Sequence, residues 1–464
     1  MCAILQIFTF VAAGQQPEVT IEVRTGVDPS VSITGKGFTG QKSIGFLRAA
    51  GGTDGLEKRV SKFRSFDEIG GKIETRQLQA GEYLAERAAS GWSYEVDLAP
   101  PKAPAAAAHV SWIGESFGSL MAADLLPLGN NHGQLKLSLV FPAGWTTTSG
   151  KIDLETDKAS ELVIMIAKGF TRRQAGEDAA VNIVGEFHFS PEEAAEMAGE
   201  IIKEYSRVFG GRPHGGIEIN ILPFPMQVNH GTWQAETRGR TVTIVSADMA
   251  FRTQSVQRLH EQLRHEVFHI WIPNGVNLTG QYDWFYEGFA LYQSLKTAVA
   301  VNRIGFSDMT STLSRAYAID RRQPGSTSLL EASRSRWAPG GTEVYARGLF
   351  VAFLTDVALL ADSGGKRSVE DLLRDFYGNH RNGAGMDGNE AIVGMLEKRP
   401  ELKRILDRYI RGGEAIEETE LLKSAGFEVG PDGLKAATKP GGRQKTILDR
   451  LGYNNWRRSP KFLK

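Results

Sequence analysis

The hydrophobic period of this 464-residue chain changes character near residue 187, and that change limits what it can fold into. From Glu18 onward apolar residues alternate with polar ones (Val19, Ile21, Val23), the period of a half-buried strand. Further strand-like runs follow at Trp92–Leu98, Gly133–Phe141 and Glu161–Ala167, separated by clusters of Gly, Pro and Asn. The run PPKAPAAAAH, Pro100 to His109, breaks the composition and reads as an exposed connection. Past residue 187, helix signals enter. Ser190 is an N-cap, Pro191 the first helical residue and Glu193 the partner in a capping box, with Met197, Ile201, Tyr205 and Val208 at helical spacing up to Gly210-Gly211. Two buried strands, GIEINILPF and RTVTIVSAD, flank the segment PMQVNHGTWQAETRG, and helices dominate from Ser255. Ser368 to Asp371 is a second capping box.

The length exceeds one ordinary core. The expected fold is α+β and multidomain. Residues 1–16 read as a leader, 17–186 as a β-rich N-terminal domain, 187–360 as a mixed β/α domain, 361–430 as a helical C-terminal subdomain, and 431–464 as a basic, loosely ordered tail. That tail carries nine Lys/Arg against Asp432 and Asp449. Lys+Arg and Asp+Glu balance at 54 each, so no overall field draws the chain to nucleic acid or anionic membrane. The apolar run Cys2 to Ala13 is too short for a bilayer span, and Ala12, Ala13 and Gly14 before Gln15 resemble the end of a secretory signal peptide. Export to a periplasm or the outside is the expectation, with no integral span.

Cys2 is the only cysteine, which excludes an internal disulfide and a cysteine zinc site. Any metal must be held by carboxylates and some of the nine histidines. HEQLRHEVFH, His260 to His269, holds two His-Glu pairs. His265 and His269 are four apart, so a helix projects both from one face, and Glu266 lies at the edge of the same face. Leu259, Leu263, Val267, Phe268 and Ile270 anchor that helix, and Pro273-Asn274-Gly275 ends it. The other pair fails this test: four residues after His260 stands Arg264, a cation. His260 therefore reads as a surface or supporting residue. A hydrolytic zinc site needs a third ligand and an open fourth position. Glu287, in the helix-like run DWFYEGFALYQ, is a carboxylate among Trp284, Phe285, Phe289 and Tyr292, a costly place unless a cation or hydrogen bonds compensate it. Asp283 is placed to cap that helix.

HEVFHIW followed by WFYEGFALY resembles the gluzincin zinc metallopeptidases, most of all the glycyl aminopeptidase family, with the alanyl aminopeptidase and leukotriene-hydrolase group as relatives. PLGNNHGQLKLSLVFPAGW resembles the family's N-terminal β domain, VYARGLFVAFLTDVALL its Tyr-x-Lys-Gly helix, and ILDRYIRGGEAIEETELLKSAGFEV the end of its catalytic region. The resemblance implies a thermolysin-like catalytic domain, a Zn2+ cofactor on His265, His269 and Glu287, and a peptide substrate. Glu266 would act as the base and Tyr345 would steady the oxyanion. Glu236 would bind the substrate's ammonium, with Gly231 and Gln234 on the same segment, and Arg347 would bind a substrate carboxylate or support the site. The chain departs from the pattern in three ways: the interval from His269 to Glu287 is one residue short, Arg347 stands for the lysine, and the last 35 residues are too few for the PDZ domain many members carry. An endopeptidase, or a non-catalytic binding or scaffold protein on the same fold, is the alternative.

Overall fold

The computed structural model describes residues 16–455 except 130–133, 149–152, 157, 214, 323–326, 337–341, 384 and 431–432. The leader-like segment and the end of the basic tail lie outside the described residues. The protein is α+β and forms two compact units, one of residues 1–170 with 224–228, the other of 171–223 with 229–464.

The first unit is β-rich. The alternating strand Glu18–Arg24 runs antiparallel to Ser30–Lys36 and parallel to Leu135–Val140, with Ile21 opposite Ile33 and Leu139. The period-two apolar residues Val19, Ile21 and Val23 all point inward with Val31, Ile33, Leu137 and Leu139. Tyr94 closes this core by donating its hydroxyl to the Leu125 carbonyl at 2.6 Å.

The second unit begins earlier than the expected boundary at residue 186. Strand Ala179–Ile183 pairs in parallel with Ile217–Leu222, Val181 opposite Ile219, so ladder hydrogen bonds bind residues 171–186 into the second sheet. That sheet has five strands in the order Thr171–Gln174, Ala179–Ile183, Ile217–Leu222, Thr241–Ser246, Trp233–Arg238. The last is an antiparallel edge, with Glu236 opposite Thr243 and Thr237 opposite Val242. Helix Pro191–Phe209 starts at the capping box: Ser190 Oγ accepts from the Glu193 amide at 3.1 Å, and the Ser190 amide donates to Glu193 Oε2 at 2.8 Å.

Two expected divisions of this unit do not hold. The helix Thr342–Ser363 runs through residue 360, and Leu354, Val357, Leu372, Phe376 and Leu406 share one core with Ile219 and Phe268. The tail is also built in as far as residue 455: strand Gly433–Ala436 pairs with Phe427–Gly430, and helix Gly442–Arg450 buries Ile447, Leu448 and then Leu451. Three apolar residues on one helical face outweigh the basic composition around them. The segment Glu343–Ser363 is long and apolar enough to cross a membrane, but nearly all of it is buried inside the protein, as a core helix is.

Close helix packing sets up the site. Helix Asp283–Ala300 meets Thr342–Ser363 at Gly288 and Gly348, where a Cβ on Gly288 would lie 2.4 Å from the Gly348 carbonyl carbon. Only glycines let these backbones approach so closely. Each lies within three residues of a proposed site residue, Glu287 and Tyr345.

Candidate metal centre and active site

Helix Arg252–His269 carries His265 and His269 on one face, as the four-residue spacing requires. Their Nε2 atoms are 3.2 Å apart. Glu287 Oε2 lies 3.1 Å from His265 Nε2 and 3.8 Å from His269 Nε2. A zinc ion about 2 Å from each N or O donor sits in a tetrahedron whose edges are about 3.3 Å. The three observed edges bracket that length, and all three residues are at least largely buried. His269 Nδ1 donates to the Ile272 carbonyl at 3.1 Å, which fixes the tautomer and leaves the Nε2 lone pair facing the cluster. Two imidazole nitrogens and a carboxylate oxygen converging in a buried space form a donor set that fits Zn2+.

Burial lowers the pKa of His269 to about 4, so it is neutral and able to ligate. Burial also opposes the Glu287 charge, but Arg336, His269 and His265 together hold its carboxyl well below the usual carboxylate range. Burial depresses His265 too, yet the Glu287 carboxylate brings its pKa above the ordinary value.

Glu266 is buried beside the cluster without joining it. Burial pushes its pKa up to about 7, against the pull of His265 and the Thr237 hydroxyl and with help from the charges of Glu287 and Glu236. Thr237 Oγ1 donates to Glu266 Oε2 at 2.7 Å. Thr237 sits in the edge strand Trp233–Arg238 and is held there by Asn274, whose Nδ2 donates to its carbonyl at 2.9 Å. Glu236, next in the strand, is half-buried and 3.3 Å from Arg238 Nε. Gln234 lies two residues earlier in the same half-buried strand, and Gly231 just before it, at φ 76° with its amide on the Asp248 carbonyl. His230 beside it is exposed, with Nδ1 3.4 Å from that same carbonyl.

Tyr345 is brought to the cluster through Arg336. Its hydroxyl accepts from Arg336 Nε at 3.0 Å, and Arg336 Nη2 lies 2.8 Å from Glu287 Oε1. Burial, then the Glu287 charge, raises the pKa of Tyr345, which keeps the phenol protonated.

Arg347 is placed elsewhere. It is 3% exposed, and its guanidinium donates to the carbonyls of Thr327 and Glu414 and faces Asp320 at 3.3 Å. It ties helix Phe306–Arg322 to Thr342–Ser363, so a substrate-binding role gives way to a structural one. His260 is not on the surface either. It is 2% exposed and accepts at Nδ1 from Arg264, the residue four further along the helix. Burial and the charges of Arg264 and Arg303 lower its pKa to about 2, so it remains a neutral acceptor. Asp283 does not cap its helix: the Trp284 amide donates to Ser333 Oγ at 2.8 Å, while Asp283 pairs with Arg336 at 3.0 Å.

Arg336 and Thr237 escaped the sequence reading. The only available hint of Arg336 was that a buried Glu287 needs compensation beyond two neutral histidines.

No protein-family model matches the chain, and no curated protein matches it by sequence. Its fold does match solved structures. An aminopeptidase N family protein from Idiomarina loihiensis aligns with a TM-score of 0.75 at 14% identity, over 92% of this chain and 82% of that one. An M1 zinc metallopeptidase from Deinococcus radiodurans aligns with a TM-score of 0.53 at 15% identity, over 87% of this chain and 94% of that one. A mutant of the Deinococcus protein bound to a Tyr-Ser-Ala substrate aligns with a TM-score of 0.54 at 15% identity, over 87% and 95%. The chain therefore has the fold of the M1 zinc metallopeptidases.

Proposed function

We propose that the protein is a zinc-dependent aminopeptidase that releases small N-terminal residues from peptides. The observation that carries this reading is the buried His265, His269 and Glu287 set with Glu266 beside it, outside the ligand set and hydrogen-bonded to Thr237. A purely structural metal site has no need of that second buried carboxylate.

Bound zinc supplies Lewis acidity toward the scissile carbonyl and lowers the pKa of the attacking water. Glu266, with its pKa near 7, accepts the proton of that water and passes it to the leaving amine. The Tyr345 hydroxyl oxygen already accepts from Arg336, so its own proton is directed away from the guanidinium and serves the developing oxyanion. Glu236 provides the anion that holds the substrate's ammonium, and its charge already reaches Glu266. The leader-like N-terminus supports export as the setting.

Arg238 favours a second reading. It sits 3.3 Å from Glu236, so a substrate ammonium has to compete with a guanidinium. An endopeptidase needs no such ammonium site. The test is hydrolysis of aminoacyl reporters against N-blocked peptides, before and after chelation and with zinc restored. Chelator-sensitive turnover of free-amine substrates supports the aminopeptidase. Preference for blocked peptides supports the endopeptidase, and no chelator-sensitive turnover of either removes both.

A further inference from the structure

Among the described residues, the three guanidinium nitrogens of Arg336 reach Glu287, Asp283, Tyr286 and Tyr345, side chains on the two helices that carry Glu287 and Tyr345. Nη2 faces Glu287 Oε1 at 2.8 Å, Nη1 faces Asp283 Oδ1 at 3.0 Å and Tyr286 Oη at 3.2 Å, and Nε donates to Tyr345 Oη at 3.0 Å. The guanidinium carbon lies 5.9 Å from the Tyr286 ring centre and 5.7 Å from that of Tyr345, so both rings also meet the cation. The side chain is 17% exposed and Glu287 is 4% exposed, so the contact is shielded from solvent.

We infer that Arg336 is the positioning residue of this site, one rigid cation that orders both the third metal ligand and the oxyanion donor. The inference rests on the zinc-peptidase reading and extends it. With Oε1 occupied by Nη2, Glu287 offers Oε2 alone, the oxygen that faces both histidines. A carboxylate held in this way binds through one oxygen and leaves a coordination position open, as a catalytic zinc requires. Nε fixes the Tyr345 oxygen as an acceptor, so the phenol proton cannot turn back toward the guanidinium. Asp283 and Tyr286 lock the rotation of the fork from the first turn of the helix that carries Glu287. A lysine cannot reproduce this, because an ammonium lacks a planar fork that reaches separate acceptors in fixed directions.

The test compares full-length wild type, Arg336→Ala, Arg336→Lys and Tyr345→Phe. It reads zinc affinity by chelator competition and coordination by the visible spectrum of the cobalt-loaded protein. Arg336→Ala and Arg336→Lys should each bind zinc about 10- to 100-fold more weakly, the range found when a group orienting a metal ligand is removed. Their cobalt bands should weaken as Glu287 becomes free to bind through both oxygens. Free guanidinium should restore part of the affinity in Arg336→Ala. Tyr345→Phe should keep wild-type affinity. If Arg336→Ala does not fold, Arg336→Lys decides alone. Wild-type zinc affinity and spectrum in a folded Arg336 variant would overturn the inference, while hydrolysis by the wild type would still stand. A wild type that binds no zinc overturns both. Weaker zinc binding in the Arg336 variants, with no peptide hydrolysis by the wild type, keeps the ordering of Glu287 by Arg336 and removes the peptidase reading together with the oxyanion role of Tyr345.

Discussion

The Thr237 hydroxyl lies 2.7 Å from the carboxylate of Glu266 and 3.0 Å from its carbonyl, so one edge-strand residue fixes both the side chain and the backbone of the proposed base. Thr237→Val keeps the shape and removes the hydroxyl. A hydrogen bond to a charged group contributes about 1.5–3 kcal/mol, so kcat should fall roughly 10- to 100-fold with zinc content intact. Steady-state kinetics beside metal analysis measures this. An unchanged kcat would remove Thr237 from the mechanism.

Glu236→Gln separates exopeptidase from endopeptidase chemistry. A bound substrate would cover half-buried Glu236, and loss of a charge partner desolvated in this way costs about 2–5 kcal/mol, so kcat/KM for free-amine substrates should drop about 30-fold or more beyond any drop for N-blocked ones. An equal effect on both substrate types would favour the endopeptidase.

Gly288 and Gly348 hold their two helices close enough to bring Tyr345 near Glu287. Gly288→Ala puts a methyl 2.4 Å from backbone, which cannot yield as a flexible side chain does. Overpacking of this kind costs about 1–3 kcal/mol, a loss of several degrees in thermal midpoint. Circular dichroism melts should show that loss, and kcat should fall as Tyr345 is displaced. A variant with wild-type melting and kcat would contradict the packing role.

Glu370 predicts an acid limb in stability. Burial opposes its charge, but Lys296 at 3.6 Å and Arg207 at 3.0 Å lower its pKa from 4.5 to about 2. Its folded pKa is depressed, so its contribution is fully present above the unfolded value near 4.5 and is lost as pH falls through about 2. At one pKa unit per 1.36 kcal/mol, the contribution is on the order of 3 kcal/mol. Denaturant titrations should show Glu370→Gln less stable at neutral pH, with a flatter profile between pH 4.5 and 2. Parallel profiles for wild type and variant would refute the assignment.

Residues joined by helical spacing were legible in the sequence. A four-residue interval dictates a shared helix face, and it set His265 with His269 apart from His260, which has Arg264 in the matching place. Glu287 was legible because a carboxylate among aromatics demands a partner. Contacts made across the fold left no such trace. Arg336 reaches Glu287 from a turn after the short helix Leu329–Ala332, and no periodicity marks it. Arg347 was assigned by its place in a motif, which fixes its helix but not the face on which its side chain leaves. The tail misled because charge dominates its composition, while three residues, Ile447, Leu448 and Leu451, settle its packing.

In the proposed mechanism metal binding and proton transfer fall to different residues: His265, His269 and Glu287 hold zinc, and Glu266 does not. Glu266→Gln tests it by zinc stoichiometry measured on the same sample as turnover of an aminoacyl reporter. Wild-type zinc content with hydrolysis reduced to background is the expected result. Wild-type turnover in that variant, or loss of its zinc, would contradict it.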